Sequence, residues 1–361
     1  MENKNLNKFF NPESIAIVGA TDGEGKVGRM VTENIFNLGY KGEVFLVNPN
    51  RKELFGKKCY ATLESIKDNI DLAIVIVPAK FVNDIVKNGL DKTKNFVIIS
   101  AGFSETGEEG KKREEELSQL AKEKNLTILG PNCLGFIIPK LKLNATFSGG
   151  MPGFGNIGFI TQSGALAVAI LDIFEKEHLG FSGVFSIGNK VRIDEADLIE
   201  YLGNDPGTKV VGLYLEGIKN GSRFMEMAER VSRVKPIVIL KAGKTERSQK
   251  AITLHTGALA GSDDITHAVF KKCGIIRAEN LEKFINILRL ISLAKVSQNN
   301  LVAVVTNAGG AGVLTTDIFK NKTITLAELS EATKSKLRSV LPEESSVENP
   351  IDVLGDSQED R

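Results

Sequence analysis

The chain is 361 residues long, with room for two or three domains that each bury a core. Its hydrophobic fraction of 42% and charged fraction of 25% are those of an ordinary soluble protein. A net charge of +1 gives no electrostatic case for nucleic acid or an anionic membrane as partner.

The opening segment, Met1 to Phe10, is polar and lysine-rich without the apolar stretch of a leader, and no later run is long enough to span a bilayer. Strands are predicted at Ser14–Val18, Glu43–Val47, Leu72–Val77, Asn95–Ile99 and Leu126–Leu129. Helical patterns lie between them, notably Gly107 to Lys124. Near-continuous apolar strands alternating with helices predict a parallel sheet covered on both faces, an α/β doubly wound unit over residues 1–144. Cys59, Cys133 and Cys273 are far apart and odd in number. They predict no disulfide and no metal site, and a reducing cytoplasm fits them. Ser148 to Asn156, rich in Gly and Pro, reads as a linker. A second α/β series over 145–297 has strands at Ile157–Ile160, Gly183–Ile187, Val210–Leu215 and Pro236–Lys241, and a closing helix from Leu281 to Lys295. A third, 298–361, opens with Leu301–Thr306, then a helix, then Thr323–Leu326. It has too few strands for a full sheet. Either a partner supplies the rest or the chain is truncated, and the loop-like Val347 to Arg361 favours truncation.

The loop after the first strand is Gly19-Ala20-Thr21-Asp22-Gly23-Glu24-Gly25-Lys26-Val27-Gly28. It joins a strand to a helix, so its amides can meet a phosphate at the helix start, and Gly23, Gly25 and Gly28 match G-x-G-x-x-G. A dinucleotide site would place a carboxylate at the end of the second strand for the ribose hydroxyls. Asn48-Pro49-Asn50 stands there instead, which counts against NAD, and Lys26 favours a more anionic ligand. A tight structural turn is the plain alternative. Other strands of this unit end in Val77-Pro78, Ser100-Ala101-Gly102-Phe103 and Gly130-Pro131-Asn132-Cys133, on the rim where an open sheet binds ligands.

In the second unit, Thr161-Gln162-Ser163-Gly164 joins a strand to a helix, with Ser163 as a fair N-cap. It is not a nucleophile elbow, because Thr161 stands where the first Gly of G-x-S-x-G belongs. Tyr214-Leu215-Glu216-Gly217 sets a carboxylate at a strand end, where it can hold one ring nitrogen of a histidine and aim the other. Ser186-Ile187-Gly188-Asn189-Lys190 is another loop on the same rim. Leu254-His255-Thr256-Gly257-Ala258-Leu259-Ala260-Gly261 puts an imidazole among small residues. Imidazole can take a phosphoryl group as a covalent nucleophile, and free amides can surround the phosphate; a lone loop histidine is otherwise merely solvated. Thr306-Asn307-Ala308-Gly309-Gly310-Ala311-Gly312 repeats the strand, glycine loop and helix plan. His178 and His267 are read as structural. Glu105 and the run Glu108 to Glu116 are read as a solvated helix face.

Taken together, these segments resemble the CoA-binding and CoA-ligase half of the NDP-forming acyl-CoA synthetases, which include succinyl-CoA synthetase. They are most similar to the alpha subunit of the ADP-forming acetyl-CoA type, or to the equivalent half of a fused chain. Ile17-Val18-Gly19-Ala20, Lys26-Val27-Gly28, Val47-Asn48-Pro49, Ala101-Gly102-Phe103-Ser104-Glu105 and Gly130 to Gly135 carry the resemblance in the first unit. Thr161 to Gly164, Ser186 to Asn189, Glu216-Gly217, His255 to Ala258, Asn307 to Gly310 and Asn349-Pro350-Ile351-Asp352 carry it onward in order.

The resemblance implies a Rossmann-like CoA-binding domain followed by flavodoxin-like CoA-ligase domains. It implies CoA contacts from Gly19, Thr21, Lys26, Val27, Gly28, Asn48, Val77, Pro78, Ser100, Ala101, Gly102, Phe103, Glu105, Asn132 and Cys133. Phosphate would be held by Gln162, Ser163, Gly164, Gly257, Ala258, Asn307, Gly309 and Gly310. His255 would be the phosphorylated nucleophile and Glu216 its orienting partner. The implied reaction interconverts a small acyl-CoA, phosphate and ADP with acid, CoA and ATP through an acyl phosphate. No Walker A pattern occurs, so ADP or ATP with Mg would sit on a nucleotide-grasping beta subunit or fused half, in a hetero-oligomer. The rival readings are a catalytically silent CoA or acyl-CoA sensor, like that fused to some protein acetyltransferases, and an NAD-dependent oxidoreductase.

Overall fold

The computed structural model describes residues 6–249, 262–295, 299–319 and 324–358. They form two compact units, Met1–Leu293 and Ala294–Arg361.

The larger unit opens with a short helix, α1 (Leu6–Phe10), and strand β1 (Ser14–Val18). Then come α2 (Val27–Asn37), β2 (Glu43–Val47), β3 (Glu53–Leu54), β4 (Lys57–Tyr60), β5 (Leu72–Val75), α3 (Val82–Asn88), β6 (Asn95–Ile98), α4 (Glu108–Glu123) and β7 (Thr127–Leu129). These strands make one sheet in the order β3-β4-β2-β1-β5-β6-β7, parallel except for β3. The crossing at β1 is the switch point where ligands bind in open α/β sheets. Register brings Val18 level with both Val47 and Val75, so the following loops leave the same rim.

The second sheet begins before the linker. Strands β8 (Gly135–Ile138) and β9 (Leu143–Thr146) form an antiparallel pair. They add to β10 (Phe154–Thr161), β11 (Phe181–Ser186), β12 (Val210–Leu215), β13 (Ile237–Lys241) and β14 (Ile276–Ala278) in the order β14-β13-β12-β10-β11-β8-β9. Strand β8 and the start of β9, which strand periodicity left on the near side of a boundary at Asn144, belong to this second sheet, joined to it by the pairing of β8 with β11. Part of the expected linker is strand as well, since β10 starts at Phe154. Helices α5 (Gly164–Lys176), α6 (Glu195–Asn204) and α7 (Gly221–Ser232) cover the sheet, together with Asp263–Lys272 and Leu281–Leu293.

Strand alternation divides the core. Ile15 and Ile17 enter one apolar cluster, and Ala16 and Val18 enter another on the opposite face of the first sheet. Ile237 and Ile239 likewise face away from Val238. The first cluster runs on from the first sheet into the second, through Phe136, Phe185, Leu213 and Leu215. Segment Met1 to Phe10, read as merely polar, contributes Leu6, Phe9 and Phe10 to it. Phe10 lies 5.0 Å from Phe136, 4.7 Å from Phe185 and 5.0 Å from Tyr201 between ring centroids.

The smaller unit holds two parallel pairs, β15 (Leu301–Val302) with β17 (Thr325–Leu326) and β16 (Val305–Thr306) with β18 (Ile351–Asp352). The single predicted strand Leu301–Thr306 is therefore divided between two partners. Helices Gly309–Ile318 and Glu331–Val340 accompany them.

The Phe10 ring is 1% exposed, and its loss would leave a cavity among four aromatic neighbours, Phe9, Phe136, Phe185 and Tyr201. Phe10→Ala is expected to cost about 3–5 kcal/mol, read as a lowered denaturant midpoint. A loss under about 1 kcal/mol would show that α1 does not tie the sheets together.

Candidate active site

The glycine loop after β1 is built for close packing. Gly19 has φ +99°, and a Cβ there would lie 2.2 Å from the Ile76 carbonyl oxygen. A Cβ on Gly28 would lie 2.2 Å from the Gly19 carbonyl oxygen, so α2 sits hard against the strand end. Thr21 accepts the Gly23 amide at 3.2 Å, and Lys26, exposed, is the N-cap residue of α2. Asn48 donates to the Ala20 carbonyl at 2.8 Å and accepts the Asn50 amide at 2.9 Å, so its carboxamide holds this loop to the end of β2.

A cleft of ≈ 400 Å³ opens beside this rim. Val27, Val77, Pro78, Ser100, Ala101, Asn132 and Cys133 line it from the first sheet, and Gly164 lines it from the start of α5. Ser100 accepts the Val77 amide at 3.1 Å and is 8% exposed. Cys133 is buried; burial pushes its thiol up to about 12, and it donates to the Ile98 carbonyl, so it is an inert wall. Ile76, Ile99, Leu134 and Phe147 complete the lining, and sequence reasoning assigned none of them a role.

The Gly102–Glu105 loop differs from its sequence reading. Phe103 is 0% exposed and packs in the core, and its carbonyl is taken by the Thr106 amide and hydroxyl, both at 2.9 Å, so it offers no surface to the CoA contact expected of it. Glu105 is no solvated helix residue: its carboxylate accepts the Gly102 amide at 2.6 Å, the Phe103 amide at 3.1 Å and the Asn189 carboxamide at 2.8 Å. Burial would raise its pKa, but these bonds outweigh burial and hold it below the usual carboxylate range. His178 and His267, read as structural, are both exposed.

At the second sheet, Thr161 donates to the Ser163 carbonyl at 2.9 Å and accepts the Ser163 amide at 3.0 Å. Ser163 accepts the Leu166 amide at 3.2 Å as the expected N-cap. The remaining first-turn amides of α5 lack intrahelical partners and suit an anion. Gln162 has another task. Its side-chain oxygen accepts the amides of Glu216 at 2.5 Å and Gly217 at 3.0 Å. Lys241 donates to the Glu216 carbonyl at 2.7 Å, and Lys190 to the Gly217 carbonyl at 2.8 Å. Lys190 also pairs with the buried Glu195 at 3.1 Å. Both amides and both carbonyls of this strand-end pair are thus fixed by side chains. Glu216, 6% exposed, accepts from the Tyr214 hydroxyl at 3.5 Å. His255, Gly257 and Ala258 lie outside the described residues.

In the smaller unit, Thr306 repeats the Thr161 turn. It donates to the Ala308 carbonyl at 3.1 Å and accepts the Ala308 amide at 3.0 Å, before the helix that starts at Gly309. The Asp352 carboxylate would lie 2.9 Å from a Cβ on Gly309, so a carboxylate stands beside this helix start. Among the described residues, no cluster of His, Cys, Asp or Glu could hold a metal ion. Nor is any helix there long and apolar enough to cross a membrane.

Residues 13–139 match the CoA binding domain, and residues 154–291 match the succinyl-CoA ligase like flavodoxin domain. Acetate–CoA ligase [ADP-forming] I of Archaeoglobus fulgidus is 41% identical over 99% of this chain and 52% of its own length. Acetate–CoA ligase [ADP-forming] II subunit alpha of Pyrococcus furiosus is 42% identical over 98% of this chain and 77% of its own. The chain thus spans about half the length of the first relative and about three quarters of the second. Dinucleotide forming acetyl-coenzyme A synthetase 1 of Ca. Korarchaeum cryptofilum, solved with phosphate and ADP, superposes with a TM-score of 0.91 at 37% identity, over 97% of this chain and 76% of that one.

Burial and the Glu216 carboxylate push the Tyr214 phenol up to about 12. Its native form keeps the proton where an unfolded tyrosine has lost it, so this group's contribution to stability falls as pH rises from about 10 through about 12. Glu216→Gln is expected to lower the Tyr214 value, read by tyrosinate absorbance against a Tyr214→Phe control. An unchanged titration would separate the two side chains.

Proposed function

The chain belongs to the ADP-forming acetate–CoA ligase family, and we propose that it carries the CoA-binding and CoA-ligase part of such an acid–thiol ligase. The observation that carries this reading is the shared cleft, where Val77, Pro78, Ser100 and Asn132 of the CoA-binding side face the same space as Gly164 of α5. A thioester held by the first sheet would then present its carbonyl to a phosphate at a helix start.

The chemistry follows in two steps. A phosphate oxygen attacks the thioester carbonyl, the C–S bond breaks, and CoA leaves as a thiol with an acyl phosphate left behind. The His255 imidazole then attacks phosphorus, the bond to the acyl oxygen breaks, and the carboxylate departs. The amides after Ser163 stabilise charge on the transferring phosphoryl oxygens. Glu216 orients the imidazole through its other ring nitrogen. Gln162 acts by locking the Glu216–Gly217 backbone, with Gly257 and Ala258 adding amides beside His255. Asn307, Gly309 and Gly310 are proposed as further phosphate contacts.

The phosphohistidine then passes its phosphoryl group to ADP. That step is assigned to a nucleotide-grasping half with Mg, on a beta subunit in a hetero-oligomer or on a fused continuation; the Pyrococcus furiosus relative is itself named an alpha subunit. Three free, buried cysteines support a reducing cytoplasm as the working compartment.

Two experiments test this. Lys26→Glu is expected to weaken CoA binding by roughly tenfold without lowering the melting temperature, because it reverses an exposed positive charge at the α2 start. Unchanged affinity would move CoA away from this loop. The 361-residue chain given acyl-CoA and phosphate is expected to acquire an acid-labile phosphoryl group that His255→Ala abolishes. It should make no ATP from ADP until a nucleotide-binding partner is added. Labelling that survives His255→Ala would remove the nucleophile, and a chain that binds CoA but is never labelled would be a sensor instead.

A further inference from the structure

We propose that Phe147 is the residue that reads the acyl group of the thioester. This rests on the CoA-ligase reading of the cleft and adds a specificity determinant to it.

Phe147 interrupts a buried run. Thr146 before it is 1% exposed and Ser148 after it 7%, whereas Phe147 is 37% exposed and lines the cleft. An apolar ring left open between buried neighbours is the informative exception in a core-forming segment.

The backbone around the ring is held with unusual completeness. Asn34 of α2 donates to the carbonyl of Thr146 at 2.8 Å and to that of Ser148 at 2.7 Å, clasping the peptide on both sides of Phe147. Asn144, 0% exposed, accepts the Thr146 amide at 3.1 Å and donates to the Ser148 carbonyl at 3.2 Å. The Thr146 hydroxyl accepts the Ser148 amide at 3.0 Å. A free surface loop needs no such clasp. A fixed backbone that presents one exposed ring to a cleft is preorganised for a ligand.

The ligand's chemistry follows from the ring's neighbours. α2 begins at Val27, a cleft residue, and its Asn34 clasps the ring's loop, so one helix places two walls of the slot. Gly164 at the α5 start lines the same slot. If phosphate is held at that helix start, the thioester carbonyl must lie beside it, and the substituent on that carbonyl meets the cleft walls next to it. Phe147 offers an aromatic face to an apolar or aryl acyl chain, whereas acetyl gains little from it.

The test compares binding of CoA, acetyl-CoA, butanoyl-CoA and phenylacetyl-CoA to the wild-type chain, Phe147→Ala and Phe147→Leu, by calorimetry. In Phe147→Ala, phenylacetyl-CoA is expected to lose about fivefold or more in affinity relative to acetyl-CoA, with CoA itself changed less than about twofold. Phe147→Leu keeps an apolar wall and should restore part of the butanoyl affinity but little of the phenylacetyl affinity. Equal weakening of CoA and every thioester would overturn the proposal by placing the ring on the CoA arm. Unchanged binding throughout, or no thioester binding by the wild type, would overturn it as well. Selective thioester binding by a chain that never labels with phosphate would sustain Phe147 as the acyl reader and defeat the catalytic reading alone.

Discussion

The cleft lies where two sheets meet, and one of the seams that lock them is built around Asn189. Its amide donates to the Pro131 carbonyl at 2.9 Å, and its side-chain nitrogen to Glu105 at 2.8 Å and Glu114 at 2.7 Å. Its side-chain oxygen accepts from Asn132 at 3.2 Å. The neighbouring amides of Val191 and Ile193 continue the attachment to Gly130 at 3.0 Å and Ile128 at 3.0 Å. A loop of the second sheet is thus stitched along the last strand of the first. Because Glu105 is held ionised by this arrangement, its contribution is complete above the ordinary carboxylate range and is lost as pH falls through its lowered value.

The strand-end pair Glu216–Gly217 shows the same economy on the other rim. Lys190 and Lys241 are both 7% exposed, a costly place for ammonium groups. Burial pulls Lys241 below the usual lysine range. Each repays part of that cost by donating to a backbone carbonyl of the pair, while Gln162 takes the amides. Fixing a backbone from four sides leaves the Glu216 side chain little freedom to wander. For the orienting role proposed for Glu216, a carboxylate misplaced by an ångström would lose much of its effect, and such fixation would serve that role.

How much of this could be read beforehand depended on what local pattern encodes. Val210–Leu215 is a continuous apolar run, and the strand coincides with it. The Thr161–Gly164 turn was legible because threonine, serine and glycine at a strand end have few other uses. The sheet to which β8 and β9 belong was not legible, since alternation says which face is buried and nothing about which sheet buries it. Phe9 and Phe10 were hidden by a lysine-rich context, though they enter a shared core. Phe147 carries no sequence signal of its own. Its exposure depends on Asn34, more than a hundred residues away in the chain. Gln162 was placed at the right turn, but its partners lie on a neighbouring strand that no spacing rule connects to it.

Two threonine turns of the same form each stand beside a carboxylate. Thr161 is level with Tyr214 across β10 and β12, so Glu216 follows closely on the neighbouring strand end. Thr306 is level with Asp352 across β16 and β18, which again sets a carboxylate beside a helix start. A carboxylate near such a start competes with an anion for the same amides, unless a donor engages it. At the α5 turn the acceptor and the donors are separated: Glu216 is tethered through its backbone, and the first-turn amides follow Ser163. That separation suits a phosphorylated imidazole, which brings a ring N–H for the carboxylate and phosphoryl oxygens for the amides. Hydrogen phosphate also carries an O–H that could donate to the carboxylate, so the turn suits a free and a histidine-borne phosphoryl group alike. Under the proposed reaction the same turn would therefore serve both the phosphate that attacks the thioester and the phosphoryl group that passes to His255.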